Sequence, residues 1–299
     1  MALSYSVDKT DGSGRELLTY GTSDFPIAFF DDDLTKVKVP WHWHDEFEII
    51  IITEGSVCVQ IANSSFVLNK GEGYFLNSGI LHSAKLLSPR GHQRALIFSP
   101  EIAAHNEDIV WKTYIKPILK KQALPFIKLS PGISWHNDIL QLSNDAWLNG
   151  AYEKTDYPIT IRHNLTRVFS LIKSNIDLIE NETEFTDKAK QDELRIKKIL
   201  FFIENNYPTT ITIADIAKSG DISISSCLRL FKQILITTPI QYLIKYRLQK
   251  AVEEFDSLEG RNIGDIAYSC GFSDAAYFNR CFKKEFGCTP TEYMAKKSA

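Results

Sequence analysis

Ile213-Ala214-Asp215-Ile216-Ala217-Lys218-Ser219 returns fifty positions later as Ile263-Gly264-Asp265-Ile266-Ala267-Tyr268-Ser269. Leu230-Phe231-Lys232 returns as Cys281-Phe282-Lys283, and Thr238-Pro239-Ile240-Gln241-Tyr242 returns as Thr289-Pro290-Thr291-Glu292-Tyr293. The step from Phe to Pro is eight residues in both copies. A repeat with matched internal spacing is one structural unit built twice. Each copy reads as a short helix, a tight turn and a second helix closing on the Phe-Lys pair. That is a helix-turn-helix, a motif that sets its second helix into the major groove of DNA.

Local signals support this reading outward from the repeat. Thr212 is placed to cap the first helix, and Ser223 and Ser273 to cap the recognition helices, predicted over Ile224 to Gln233 and Asp274 to Phe286. Asp221 and Gly271 stand where the chain needs a left-handed turn residue, which Gly, Asn and Asp tolerate best. Pro239, a good first-turn residue, opens a helix running to about Phe255 that joins the two units. About 20 residues of helix span roughly 30 Å, close to the roughly 34 Å between successive major-groove faces of B-DNA. One chain therefore suffices to set both recognition helices on one face of a duplex. Upstream, Asp192 to Asn206 reads as an amphipathic helix with Leu194, Ile196, Ile199, Leu200 and Ile203 as core. Phe231, Phe278, Phe282, Ile213 and Ile263 are expected in the core as well.

The chain has 299 residues, long enough for two domains, and its formal net charge of −3 excludes a general polyanion binder. That average hides an asymmetry. From Glu193 onward there are 15 Lys and Arg against 12 Asp and Glu, while the preceding residues hold 19 against 25. The basic part is the part with the repeats, as phosphate contact requires. Cys58, Cys227, Cys270, Cys281 and Cys288 show no CxxC spacing, which fits reduced thiols in a cytoplasmic protein. The start of the chain shows no basic segment followed by an apolar run, so no signal peptide is read there. The longest aliphatic run, Ile49 to Ile52, is far too short to span a membrane.

From Val37 to Phe98 the pattern suits short strands. Val57, Val59 and Ile61 alternate with Ser56, Cys58 and Gln60, and turn signals fall at Gly55, Asn63-Ser64, Lys70-Gly71 and Asn77-Ser78-Gly79. This is the rhythm of an antiparallel barrel or sandwich. Within it lies His42-Trp43-His44-Asp45-Glu46-Phe47-Glu48, with His82 after Gly79-Ile80-Leu81. Together with Gly55 and Gly71 this run resembles the two motifs of the cupin superfamily. In metal-binding cupins the positions matching His42, His44, Glu48 and His82 hold a divalent metal, and such a donor set suits iron, zinc, nickel or manganese. Sensor cupins of transcription regulators often keep these histidines without metal, so the adopted reading is a metal-free pocket and no cofactor. In it Trp41, His42, His44, Glu48, Tyr74 and His82 hydrogen-bond or enclose a small effector. One departure is that the usual Pro before the second-motif His is replaced around Asn77-Ser78-Gly79.

After Pro100 the pattern turns helical. Trp135 to Leu148 carries Ile139, Leu142, Ala146 and Trp147 at helical spacing. Ile161, Leu165, Val168, Phe169, Ile172, Ile176 and Ile179 form a long apolar stripe, which either packs on the barrel or makes a helix–helix dimer seam. Asn181 to Asp192 is polar and reads as an inter-domain linker. The fold class is thus α+β: a cupin-like barrel with packed helices over 1–180, a linker over 181–192, and an all-α domain of two helix-turn-helix motifs over 193–299.

The region from 193 to 297 resembles the AraC/XylS family of bacterial transcription regulators. The second copy carries the more family-specific residues: Gly271-Phe272, Tyr277-Phe278, Phe282-Lys283-Lys284, Gly287, Thr289-Pro290 and Tyr293. A single helix-turn-helix is a weak signal; the tandem with both Pro-x-x-Tyr tails is specific. Gly220 departs from the family's usual apolar residue, which implies a less firmly packed first motif. By position, the resemblance implies base contacts from Ser225, Leu228 and Arg229 in the first recognition helix. In the second it implies Ala275, Ala276, Asn279 and Arg280. Arginine suits guanine O6/N7, asparagine suits adenine, and leucine or alanine suits a thymine methyl. Each Arg also has a phosphate or salt-bridge alternative. Lys232, Lys283 and Lys284, at recognition-helix ends, are phosphate candidates.

The resemblance further implies a ligand-binding, dimerising N-terminal domain, with double-stranded DNA and RNA polymerase as partners and no membrane. A sugar or other metabolite is a common effector class in the family. The leading expectation is a non-enzymatic, effector-responsive transcription regulator, more an activator than a repressor. Two alternatives stay open: a metal-dependent cupin enzyme fused to a DNA-binding module, and an effector-independent regulator whose barrel serves dimerisation.

Overall fold

The computed structural model describes residues 3–4, 15–17, 21–22, 24–61, 64–120, 124–180, 187–255 and 262–297. The chain divides into two compact units, Arg15–Glu193 and Leu194–Ala299. Asn63 and the first half of the expected linker, 181–186, lie outside the described residues.

The first unit is built on nine strands: β1 (Ile27–Asp33), β2 (Val39–His42), β3 (Phe47–Glu54), β4 (Ser56–Ile61), β5 (Ser64–Asn69), β6 (Gly73–Leu76), β7 (His82–Leu86), β8 (His92–Phe98) and β9 (Phe126–Leu129). They pair antiparallel in two sheets, ordered β1-β8-β3-β6-β9 and β2-β7-β4-β5. The continuous apolar run in β3 follows from its position in the middle of the larger sheet, which is covered on both faces. Phe47, Ile49 and Ile51 pack toward helices, with Phe29, Phe75 and Phe98 from neighbouring strands. Ile50 and Ile52 face the smaller sheet and meet Val57, Val59, Ile61 and Leu68. In β4 only alternate residues are buried, as period-two patterning predicts. The turn glycines Gly55, Gly71 and Gly79 all adopt positive φ.

The covering helices are α1 (Lys116–Lys120, preceded by a π-helical turn at Trp111–Ile115), α2 (Ser134–Ala151), α3 (Tyr157–Ser174) and α4 (Ile176–Glu180). Trp147, Ile161, Leu165, Val168, Phe169, Ile172 and Ile176 belong to the same core as the outer face of the larger sheet. The stripe from Ile161 to Ile176 is therefore packed within this unit, and the side chain of Ile179 lies outside the described residues. Trp147 also donates its indole N–H to the Phe30 carbonyl at 3.0 Å, tying α2 to β1.

The second unit comprises most of α5 (Asp187–Asn206), then α6 (Ile213–Ser219), α7 (Ile224–Ile234), α8 (Pro239–Phe255), α9 (Ile263–Ser269), α10 (Ala275–Phe286) and α11 (Pro290–Lys297). α5 starts five residues before the expected Asp192, because Lys188-Ala189-Lys190-Gln191 are good helix formers that lack an apolar stripe to betray them. Ile196, Ile199, Leu200 and Ile203 are fully buried, but Leu194 is 63% exposed and leaves the predicted core. Ile213 and Ile263 are half-buried; the positions sealed from solvent are Ile216 and Ile266.

α6 and α9 each begin with a capping box, Thr212 with Asp215 and Asn262 with Asp265. Ser223 caps α7, accepting from the Ser226 N–H, whereas α10 is capped by Asp274 in place of the expected Ser273. Asp274 accepts from the Ala276 N–H at 2.8 Å. Asp221 (φ 56°) and Gly271 (φ 85°) supply the left-handed turn residues. At Gly220 an added Cβ would stand 2.6 Å from Ile199 Cδ1, so Ile199 fills the space that the family's apolar residue would take. Among the described residues no helix is long and apolar enough to cross a membrane.

Candidate functional site

Two arrangements of side chains have functional geometry, one in each unit. In the second unit α7 and α10 each turn one face inward and the opposite face out. Cys227, Leu230, Phe231 and Ile234 anchor α7, and Phe278 and Phe282 anchor α10. The faces they leave outside carry the expected readers. Ser225, Leu228, Arg229 and Lys232 are exposed on α7, as are Ala276, Asn279, Arg280, Lys283 and Lys284 on α10; Ala275 is half-buried. Arg280 lies with its guanidinium carbon 5.7 Å from the Tyr277 ring, at the solvent surface. Among the described residues none of these arginines and lysines is engaged in an ion pair, so the intramolecular salt-bridge alternative for Arg229 and Arg280 falls away.

Sequence reading missed the residue that organises this unit from behind. Arg247, in the middle of α8, donates from Nε to the Tyr207 carbonyl at 2.8 Å and from Nη2 to the Thr209 carbonyl at 2.7 Å. Its guanidinium also lies 5.9 Å from the Phe272 ring. A second link joins α8 to α5, the Tyr242 hydroxyl donating to Glu204 at 3.0 Å. Both depend on pairs about 40 residues apart, which no local pattern marks.

In the first unit the structure brings together His42, His44, Glu48, Tyr74 and His82. His42 and His82 are direct partners across β2 and β7, while Glu48 and Tyr74 come from β3 and β6 of the other sheet. Trp41 lies in the irregular stretch of β2 between Val39 and His42, half-buried, and takes no part in the cluster's hydrogen bonds and ring contacts. The turn before His82 is held by Asn77, whose amide donates to the carbonyls of Ile118 and Leu124 at 2.9 and 3.0 Å. Gly79 N–H donates to the His44 carbonyl at 2.8 Å, docking the second motif onto the first. Asn77 and Gly79 thus do the positioning in this turn.

The three imidazoles are packed ring against ring, with centroids 4.0 Å apart for His42–His82, 5.2 Å for His44–His82 and 5.9 Å for His42–His44. Each Nδ1 faces a backbone carbonyl two residues away: Pro40 at 2.8 Å, Glu46 at 3.1 Å and Ile80 at 2.9 Å. A carbonyl oxygen only accepts, so each Nδ1 carries a proton and donates it. Glu48 accepts from the Tyr74 hydroxyl at 3.0 Å, and its Oε2 lies 3.3 Å from His82 Nε2.

Burial and the neighbouring imidazoles His82 and His44 hold His42 well below the ordinary histidine range. Burial holds His44 at about 4. For Glu48 burial alone would raise the carboxyl, but the surrounding histidines, His82 first, outweigh it and hold it at about 2. His82 moves up, because the Glu48 carboxylate outweighs burial. The cluster therefore sets the Glu48 carboxylate against three buried imidazoles, and Glu16 Oε2 lies 3.7 Å from His42 Nε2.

Comparison with known proteins agrees with both halves. A family model for the AraC-like ligand binding domain matches residues 25–114, and a model for a helix-turn-helix domain matches residues 216–296. An uncharacterized HTH-type transcriptional regulator, YdeC of Bacillus subtilis, is 29% identical over 294 residues, covering 96% of this chain and 98% of YdeC. The HTH-type transcriptional activator RhaR of Mannheimia succiniciproducens is 26% identical over 257 residues, covering 86% of this chain and 87% of RhaR. Among solved structures, fatty-acid-bound ToxT of Vibrio cholerae is 16% identical with a TM-score of 0.44, covering 93% of this chain and 97% of ToxT.

Proposed function

Because the chain belongs to the AraC-type helix-turn-helix transcription regulators, we propose that it is a sequence-specific transcription activator controlled by a ligand at the histidine-lined end of its first unit. The observation that carries the DNA-reading half is the pair of recognition helices, each anchored by buried phenylalanine and each presenting cationic side chains outward, joined on α10 by Asn279. Activation follows the role named for RhaR. Ser225, Leu228, Arg229, Ala275, Ala276, Asn279 and Arg280 read base edges, and Lys232, Lys283 and Lys284 hold phosphates. Recruitment of RNA polymerase, a cytoplasmic location and a dimer belong to this reading. The buried histidines, Glu48 and Tyr74 form the sensor site of a regulator, not the active site of an enzyme.

The test is binding of the full-length protein to the DNA upstream of its own gene, against scrambled DNA, at physiological salt with and without a metabolite panel. Specific binding that one compound shifts is the expected result; equal binding to both DNAs removes the reading. Arg280→Ala is expected to weaken the specific complex by about 1–3 kcal/mol and leave binding to scrambled DNA nearly unchanged. Equal losses on both would make Arg280 a phosphate contact.

A further inference from the structure

We propose that Ile236, in the turn after the first recognition helix, is a further DNA-contacting residue. It packs on apolar surface of the duplex, a deoxyribose or a thymine methyl. The inference rests on the DNA-reading function proposed above and adds to it a residue that lies outside both recognition helices.

Ile236 holds a conformation that its side chain opposes. Its φ is 52°, in the left-handed region, where Cβ crowds the following carbonyl oxygen and a branched Cβ is least tolerated. The neighbours impose the turn, because Leu235 is buried on one side and Pro239, the first residue of α8, on the other. The repeat shows what such a turn asks for. Ile236 stands five residues after Phe231, as Gly287 stands five residues after Phe282. Gly287 ends α10 at φ 73°. An added Cβ there would meet nothing within 4 Å, so a side chain at this point of the motif enters open space. Ile236 is accordingly 64% exposed. Glycine makes the turn with less strain, and isoleucine gains little by burial within the chain. Folding therefore does not account for a strained, exposed isoleucine, and strain of this kind collects at functional contacts.

Its position specifies the occupant. α7 exposes Leu228 and Lys232, and Ile236 follows at the same step of four residues, just past the end of the helix. From Ile222 to Val252 the chain carries no Asp or Glu, while Arg229 and Lys232 stand exposed on α7. A polyanion meets attraction along this stretch and no carboxylate within it. The second motif differs, with Asp274 before α10 and Glu285 beside Lys284 near its end. Duplex DNA carries apolar surface between its charges, on its sugars and on the thymine methyl. An isoleucine one step beyond Lys232 suits that surface next to a held phosphate.

The experiment compares full-length wild type, Ile236→Gly and Ile236→Asn on the DNA upstream of the gene and on scrambled DNA, across salt concentrations. Tm is read on the same samples. Glycine and asparagine both tolerate positive φ, so Tm should rise by about 2–4 °C in each variant. Affinity should move the other way, falling by about three- to tenfold with the loss of one apolar side-chain contact. That contact releases no counterion, so the slope of log affinity against log salt should keep its wild-type value. An equal fall on both DNAs places Ile236 on a deoxyribose, and a fall confined to the upstream DNA places it on a thymine methyl. Unchanged affinity on both DNAs overturns the proposal, even where transcription falls, which would give Ile236 to polymerase. A lower Tm in both variants also overturns it, because Ile236 would then serve the fold. Wild-type protein that binds both DNAs equally would remove the specific-regulator reading, while the effect of Ile236 would still be read on either DNA.

Discussion

Gly271 shows how one residue can satisfy two demands of which only one is legible in sequence. Its φ of 85° is a left-handed conformation, and the matching position in the first motif, Asp221 at φ 56°, meets the same demand with a side chain. The turn itself was readable from the repeat. The second demand is space. A Cβ on Gly271 would stand 2.4 Å from the Tyr207 carbonyl oxygen and 2.9 Å from Arg247 Nε. Backbone cannot give way as a flexible side chain does, so the substitution must move the turn. Gly271→Ala and Gly271→Asn should both destabilise by more than about 2 kcal/mol in urea unfolding, although asparagine tolerates positive φ. Retention of stability by the Asn variant would show that conformation alone selects glycine there. The histidine cluster divides the same way. His42, His44, Glu48 and His82 are marked as a set by the resemblance of their run to the cupin motifs. Their locking by the carbonyls of Pro40, Glu46 and Ile80, and the docking of Gly79 on His44, are tertiary facts that no pattern encodes.

At the scale of elements, periodic and capped segments were readable and unpatterned contacts were not. α8 begins at Pro239 and ends at Phe255 as its Pro signal and apolar spacing indicate, and its 17 residues span about 25 Å. α5 was misread at its start, where polar helix formers carry no stripe, and at Leu194, whose spacing matched a core face that the fold does not cover. The repeat implied that α8 joins two motifs but gave no reason for their mutual orientation. Arg247 supplies it by tying α8 to the loop after α5 through two carbonyls while lying beside Phe272 of the second motif. The guanidinium's fixed planar fork sends separate N–H groups to the two carbonyls, a geometry that lysine's single ammonium does not reproduce. Arg247→Lys and Arg247→Met should each lower stability by about 1.5–3 kcal/mol, the range for hydrogen bonds to a charged group. They should also weaken specific DNA binding without altering binding to scrambled DNA. Unchanged specific binding in a destabilised variant would confine Arg247 to stability.

At the scale of the whole molecule the formal charge of −3 says little about how the protein meets DNA, because the charges are unevenly spread. From Glu193 onward Lys and Arg exceed Asp and Glu by 15 to 12, an excess too small to hold a polyanion by bulk attraction. Affinity must come from where the cations sit. Lys232, Lys283 and Lys284 lie in the last turns of α7 and α10, exposed and without ion-pair partners among the described residues. Each phosphate neutralised releases counterions and adds about 0.9 to the slope of log affinity against log salt. Replacing all three lysines with alanine should therefore flatten that slope by about 2.7. The ratio of specific to scrambled binding should stay near its wild-type value, because phosphate contacts carry no sequence information. Stability should change by no more than about 0.5 kcal/mol per site, as for any exposed, unpartnered side chain. Titrating both DNAs across salt concentrations separates the possibilities: a fallen ratio would make the lysines base readers, and an unchanged slope would place them off the duplex.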